Sequence, residues 1–222
     1  MTAIAIAADQ ASSQRASGFT VADAVALRAE QRSAAAVALT HSLLDDPLNV
    51  HFLPDRAARI RVLPALMRTF LAYAAARGQT LTTAETAGVM MLLPPDECRV
   101  SAWGMLRAGL PRAAWRAGPS AFVRFARAGS WLEQLRFAHA PGPHWYVLAQ
   151  AVAPEHQRRG VAAALMRRAL AIADADGRPV HAETFTPQNA RYYERFGLCT
   201  IAEADLPHGG PHVWVLARPV GG

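Results

Sequence analysis

Residues 145–175 constrain this chain more than any other stretch. The run Trp145 to Val152 (WYVLAQAV) is apolar on both alternating sets of positions, as expected of a strand buried on two faces. A basic turn, Gln157-Arg158-Arg159-Gly160, follows it directly. Residues 159–175 then show helical spacing, with Ala162, Leu165, Met166, Ala169, Leu170 and Ile172 on one face and Gly177 as the stop. A buried strand feeding an amphipathic helix has to pack in layers, so the chain is an α/β protein.

Downstream, residues 179–184 read as a strand and 189–196 as a short helix closed by Gly197. Residues 198–203 and 213–218 read as two strands joined at His208-Gly209-Gly210-Pro211. The C-terminal half is thus β-α-β-α-β-β, a mixed sheet and not a doubly wound one. Upstream, a short strand is expected at 24–28 and helices at 31–44 and 56–77, with Ile60, Leu63, Met67, Phe70, Leu71 and Ala74 on one face of the latter. Pro64 predicts a kink or division there. Residues 80–83 and 88–93 form an antiparallel pair. Residues 96–138 are helical, punctuated at Pro111 and Pro119. The small, polar residues 1–18 have little to bury and are expected to be a disordered tail, leaving 19–222 as a single domain.

Composition narrows the class. The chain has 222 residues, 52% of them hydrophobic, enough for a sizeable core. Its apolar stretches are broken by Arg, Gly or Pro well before the roughly 18 residues of a membrane span, and no repeat is visible. Two cysteines, Cys98 and Cys199, cannot make a disulfide framework; a reduced, cytoplasmic setting follows. Both are expected off the reactive centre, Cys199 as a core thiol. The net charge of +6 is carried by 23 basic residues that are all Arg, a bias expected of a G+C-rich bacterial genome. No lysine is available as a Schiff base or phosphate-loop cation. A basic chain suits a polyanionic partner. The Arg- and aromatic-rich stretch from Arg99 to Arg136 reads as an amphipathic helix, its aromatics inward, and no nucleic acid or membrane is called for.

The turn after the central strand is the first candidate site. A strand-to-helix junction presents free backbone N–H groups at the positive end of a helix dipole, where phosphates bind. Gly160 allows close approach and Ala162 keeps the next position small. Neither GxxxxGK[ST] nor GxGxxG is present. Further on, Asn189 precedes Tyr193 by four residues, which puts an amide and a phenol on one helix face. His208 and His212 are spaced H-x3-H but straddle a Gly-Gly-Pro turn, so no metal site is expected. His139 and His144 flank a Pro-Gly-Pro loop and could line an acceptor pocket.

Residues 144–219 resemble the GCN5-related N-acetyltransferase (GNAT) superfamily, closest to the branch containing puromycin N-acetyltransferases. The resemblance rests on Trp145-Tyr146, on Val152-Ala153-Pro154-Glu155-His156-Gln157, on Glu183-Thr184, on Tyr193-Glu194-Arg195-Phe196-Gly197 and on Trp214 in order. Residues 24–95 agree with it in layout alone. Ala162 stands where many members have a second Gly, and Leu198 where Phe often follows the capping Gly.

The resemblance implies a mixed, mostly antiparallel central sheet flanked by helices, splayed by a bulge in the central strand. It implies acetyl-CoA as cosubstrate. Val152, Ala153, Gln157, Arg158, Arg159, Gly160, Val161, Ala162 and Ala163 would hold it, with Asn189 on the pantetheine. The N–H of Val152 or a neighbour would polarise the thioester carbonyl. Tyr193 would protonate the departing thiolate and Glu183 would take the amine's proton. The helical segment 96–140 would sit near the acceptor. The implied activity is acetyl transfer to the primary amine of a small molecule, by direct attack in a ternary complex within a monomer or homodimer. A protein N-terminal or lysine acetyltransferase is the alternative enzyme. An acyl-CoA-binding regulatory or nucleic-acid-binding module is the non-enzymatic one.

Overall fold

A computed structural model describes residues 3–5 and 19–221. Eight strands, β1 Ala3–Ala5, β2 Val25–Ala26, β3 Gln79–Thr82, β4 Gly88–Leu93, β5 Trp145–Val152, β6 Val180–Thr184, β7 Cys199–Asp205 and β8 His212–Arg218, form one sheet. Seven of them run in the order β2-β3-β4-β5-β6-β8-β7, and β1 pairs with β5 off that path. Pairing is antiparallel throughout the path except β5 with β6, which is parallel. The mixed sheet expected from the sequence is present. Of the 1–18 tail, Ala3–Ala5 is a strand and the remainder lies outside the described residues.

The helices are α1 Arg32–Ser42, α2 Pro47–Phe52, α3 Arg56–Arg77, α4 Ala102–Arg107, α5 Leu110–Ala117, α6 Pro119–His139, α7 Val161–Ala175 and α8 Pro187–Glu194. Alternation along the strands divides the apolar side chains between two faces. One face packs α1, α2, α3 and the α4–α6 segment on Met91, Tyr146, Leu148, Phe185 and Val215. The other packs α7 and α8 on Met90, Val147, Ala182 and Leu216.

Several local expectations need correction. Helix α3 is continuous through Pro64. The N–H that Pro64 lacks would have bonded the Ile60 carbonyl, and Ile60 is half exposed, so water can take that acceptor. Ile60 therefore points out, not in. Pro111 and Pro119 punctuate the 96–138 segment as expected, each sitting in the first turn of a new helix, where no N–H is needed. Asp-Asp-Pro at 45–47 ends α1 as expected and also starts α2, with the Asp46 carboxylate accepting from Leu48 N–H at 2.9 Å. Cys199 is exposed, because β7 is the sheet's edge and Cys199 lies on its outward set of residues. Cys98 is buried.

Candidate active site

Strands β5 and β6 touch only at their starts, in the pairs Trp145–Val180 and Tyr146–His181. Beyond these they diverge. On the other side of β5 the register slips: Met91 opposes Ala149 while Leu92 opposes Val147, so Leu148 is an extra residue. A bulge of this kind bends a strand and increases its local twist. The free edge of β5 in the splay carries Ala3–Ala5, in parallel register with Ala149–Ala151.

The basic turn lies at the open end of this splay. Pro154–His156 make one 3-10 turn, Arg158 takes a left-handed conformation with φ 61° and Gly160 follows at φ 83° as the N-cap of α7. Ala164 N–H closes the first helical bond onto the Gly160 carbonyl, which leaves the N–H groups of Val161, Ala162 and Ala163 without an intrahelical acceptor. No side chain caps them from Gly160. A Cβ on Gly160 would meet nothing nearer than the Phe19 backbone at 3.6 Å, so its positive φ, not crowding, calls for glycine. Arg158 and Arg159 are exposed.

Side chains brace this turn against the strand. Gln157 Nε2 and Ser42 Oγ both donate to the Val152 carbonyl, at 3.3 and 2.6 Å. Ala153 N–H bonds the Ala87 carbonyl. Gln150, fully buried mid-strand, donates to the Ala162 carbonyl at 2.9 Å and to Tyr192 Oη at 3.3 Å. It joins β5, α7 and α8, a role that sequence reading missed because it lies inside an apolar run.

Helix α8 is capped by Thr186, whose Oγ1 accepts from Asn189 N–H at 3.3 Å. Asn189 and Tyr193 are both buried on the α7 side of the sheet. Tyr193 Oη has no hydrogen-bond partner among the described residues, and burial holds its ionisation well above the ordinary phenol range. A buried hydroxyl without a partner costs stability, so its retention calls for another reason.

Glu183 lies on the opposite face, toward α6. Its Oε1 accepts from Arg136 Nη1 at 2.7 Å and its Oε2 from Tyr146 Oη at 2.9 Å, with all three side chains fully buried. The Arg136 guanidinium also lies 3.7 Å from the Tyr146 ring centroid and donates to the Cys98 carbonyl. Desolvation and the charge of Glu183 both hold the Tyr146 hydroxyl in its protonated form. Sequence reading placed Glu183 near the reaction but not its partner, since Arg136 is 47 residues away on α6.

The histidines are placed differently from the expectation. His139 is exposed and its Nδ1 lies 2.9 Å from the Leu135 carbonyl. His144 is buried and stacks on His181, centroids 4.0 Å apart. Neither lines a pocket described here. His51 and His208 do, in a cavity of about 260 Å3 between α2, α6 and the β7–β8 hairpin. His212 bonds Asp205 and Glu203. Among the described residues no group of three or more His, Cys, Asp or Glu side chains could hold a metal ion. No described helix is long and apolar enough to cross a membrane.

A splayed parallel pair beside a bulged central strand, with a glycine-capped helix at its mouth, defines the acetyltransferase fold of the GNAT type. Residues 95–198 match the model of the Acetyltransferase (GNAT) family, and the fold agrees with that match. An uncharacterised N-acetyltransferase of Schizosaccharomyces pombe is 25% identical over 180 residues, 78% of this chain and 72% of that protein. Among solved structures, a Corynebacterium glutamicum protein described as histone acetyltransferase HPA2 and related acetyltransferase shares the fold. Its TM-score is 0.68 at 19% identity, covering 90% of this chain and 96% of that one. Arylalkylamine N-acetyltransferase 2 of Aedes aegypti aligns with TM-score 0.56 at 13% identity, over 89% and 98% of the two chains.

Proposed function

We propose that this protein transfers an acetyl group from acetyl-CoA to the primary amine of a small molecule, by direct attack in a ternary complex. The observation that carries the reading is the buried, unpartnered Tyr193 hydroxyl on the same face as the helix whose first amides lack acceptors. The residues fit the cosubstrate. The N–H groups of Val161, Ala162 and Ala163, with Arg158 and Arg159 beside them, suit a pyrophosphate. The β5 edge from Ala149 to Val152 and Ala153 suits an extended amide-bearing chain, with Asn189 facing it from α8. Acetyl-CoA supplies the acetyl group as an activated thioester.

The remaining steps fall to the protein's own side chains. Amides between the Leu148 bulge and Val152 polarise the carbonyl. Tyr193 Oη stays protonated until a thiolate forms beside it, then donates. On the acceptor face Tyr146 Oη, already donating to Glu183, takes the amine's proton while passing its own to the carboxylate. Glu183 thus acts through Tyr146, with Arg136 holding it in place. Cys98 is buried and Cys199 exposed on the edge strand, which favours direct attack over an acetyl-enzyme.

A small acceptor is favoured by the size of the partly open cavity beside α6, about 260 Å3. The mosquito neighbour, named for arylalkylamines, points the same way. The direct test measures free thiol released from acetyl-CoA across a panel of amines that includes aminonucleosides, alongside calorimetry with acetyl-CoA. Amine-dependent thiol release is expected; absence of acetyl-CoA binding would overturn the reading.

A further inference from the structure

The cavity beside α6 has a charge that a cationic amine alone does not explain. Its wall includes His51 of α2, Arg124, Arg127 and Trp131 of α6, and Leu206 and His208 of the hairpin between β7 and β8. No carboxylate lines it among the described residues. The acids nearest in the hairpin, Glu203 and Asp205, are both engaged by His212, at 3.2 and 2.7 Å. Arg124 is held in place by the Phe52 carbonyl, which accepts from its Nε and Nη2 at 3.2 and 2.8 Å. Arg127 has no acceptor among the described residues and is exposed. Two guanidinium groups, that of Arg124 held in place and that of Arg127 free to reorient, and two imidazoles therefore line a cavity with no carboxylate in its described lining. The field is felt locally: desolvation first, then Arg124 and His208, disfavour the protonated form of His51.

The cavity lies on the face of the sheet that the proposed reaction assigns to the acceptor. Thr184, at the end of β6, pairs with Trp214, and Ala204 with Val213, so the 206–211 hairpin extends past the open end of the splay. Ala128 and Leu206 belong to the same packed face as Tyr146 and Leu148, the face on which Glu183 bonds Arg136 and Tyr146.

We infer that the acceptor is an amine that also carries an anionic group, a carboxylate or a phosphate, which Arg124 and Arg127 bind beside Trp131. This deepens the acetyl-transfer reading and rests on it. Guanidinium groups pair with both oxyanions through paired N–H donors, and the adjacent indole offers a flat surface for an aromatic or extended body. A plain amine, protonated on arrival, would be repelled by the same pair.

Three amines on one scaffold separate the possibilities: tyramine, L-tyrosine and tyramine O-phosphate, the second with a carboxylate and the third with a phosphate. Thiol release should give kcat/KM for one anionic amine on the order of tenfold or more above tyramine, the value of one charge-assisted contact. Which one is preferred identifies the anion together with its distance from the amine, since the carboxylate of L-tyrosine adjoins the amine and the phosphate of tyramine O-phosphate lies across the ring. Arg127→Gln should bring the ratio down toward one and Arg127→Glu should invert it, with acetyl-CoA affinity unchanged. Should none of the three turn over, calorimetry with the amine-free 3-(4-hydroxyphenyl)propionate and 4-ethylphenyl phosphate, in the presence of CoA, reads the pocket directly. Binding that Arg127→Glu abolishes sustains the anion site even where acetyl transfer fails. Tyramine used as well as both anionic amines, a ratio insensitive to Arg127, or no binding of either anion overturns it.

Discussion

Arg136 on α6 and Glu183 on β6 form a fully buried ion pair, Nη1 to Oε1 at 2.7 Å, that joins the helical segment over the proposed acceptor face to the splayed sheet. Glu183 also accepts from Tyr146 across the β5–β6 junction. The carboxylate is therefore a structural tie as well as the proposed end of a proton path. Removing one member of a buried pair leaves the other charge uncompensated, at a cost of roughly 3–5 kcal/mol, whereas replacing both with apolar residues is often far milder.

Glu183→Gln should accordingly lower both activity and the urea midpoint, and Arg136→Met should do the same to stability. The double variant Arg136→Met/Glu183→Leu should recover much of the stability but not the turnover. A pH–rate profile with two amines of different pKa, run on Glu183→Gln where it remains folded, should show the deficit concentrated at low pH and with the more basic amine. A profile parallel to wild type would leave Glu183 a purely structural residue.

Tyr193→Phe removes a buried hydroxyl that has no partner among the described residues. Turnover should fall by roughly 10²–10⁴-fold with acetyl-CoA affinity nearly unchanged, since the hydroxyl matters when the sulfur becomes charged. Thermal stability should hold or rise, because an unsatisfied polar group is lost. Loss of stability together with an unaltered rate would reverse the assignment.

Gly160→Asp places a carboxylate at the mouth of α7 on a residue with φ 83°. Acetyl-CoA affinity, measured by calorimetry, should drop by on the order of tenfold or more from charge repulsion alone. Gly160→Asn, which tolerates the left-handed region and adds no charge, should retain most of the affinity. Equal binding by wild type and Gly160→Asp would exclude the turn as the phosphate site.

His144 and His181 stack in the interior, and both are held below the usual histidine range, chiefly by desolvation, His181 down to about 3. In the unfolded chain they take protons below about pH 6.5, which the native state resists. Their contribution is thus complete above that pH and is lost as pH falls below it, for His181 until about pH 3, with a slope of up to about 1.4 kcal/mol per pH unit for each. Urea titrations between pH 7 and 4 should show a shallower loss for His181→Phe than for wild type. Identical slopes would place the acid sensitivity elsewhere.

Ala3–Ala5 occupies the β5 edge on which the cosubstrate's extended arm is proposed to lie. Deleting residues 1–8 should therefore tighten acetyl-CoA binding without altering the maximal rate. Calorimetry on the full and shortened chains decides it, and weaker binding by the shortened chain would make the segment part of the site instead of its competitor.

Sequence alone determined the layering and the local backbone frame of the proposed cofactor half of the site. The reasons are local. A strand buried on both faces, a glycine that must take a positive φ and a helix stripe of period 3.6 are each written within a few adjacent residues, and so are the strand–turn–helix junction at Gln157–Ala162 and the one-face placement of Asn189 with Tyr193. Tertiary structure decided what depends on contacts between distant segments. Arg136 meets Glu183 across 47 positions, Gln150 reaches Tyr192 across 42, and Arg124 anchors to Phe52 across 72. It also decided which histidines face a cavity: His51 and His208 do, while His144 is taken into the core by His181. Periodicity reports which face of an element turns inward, but not which element covers it. The 96–140 segment was expected near the acceptor from the sequence, but the proposed acceptor cavity also needs His51 of α2 and Leu206 and His208 of the β7–β8 hairpin, which no single stretch of sequence brings to it.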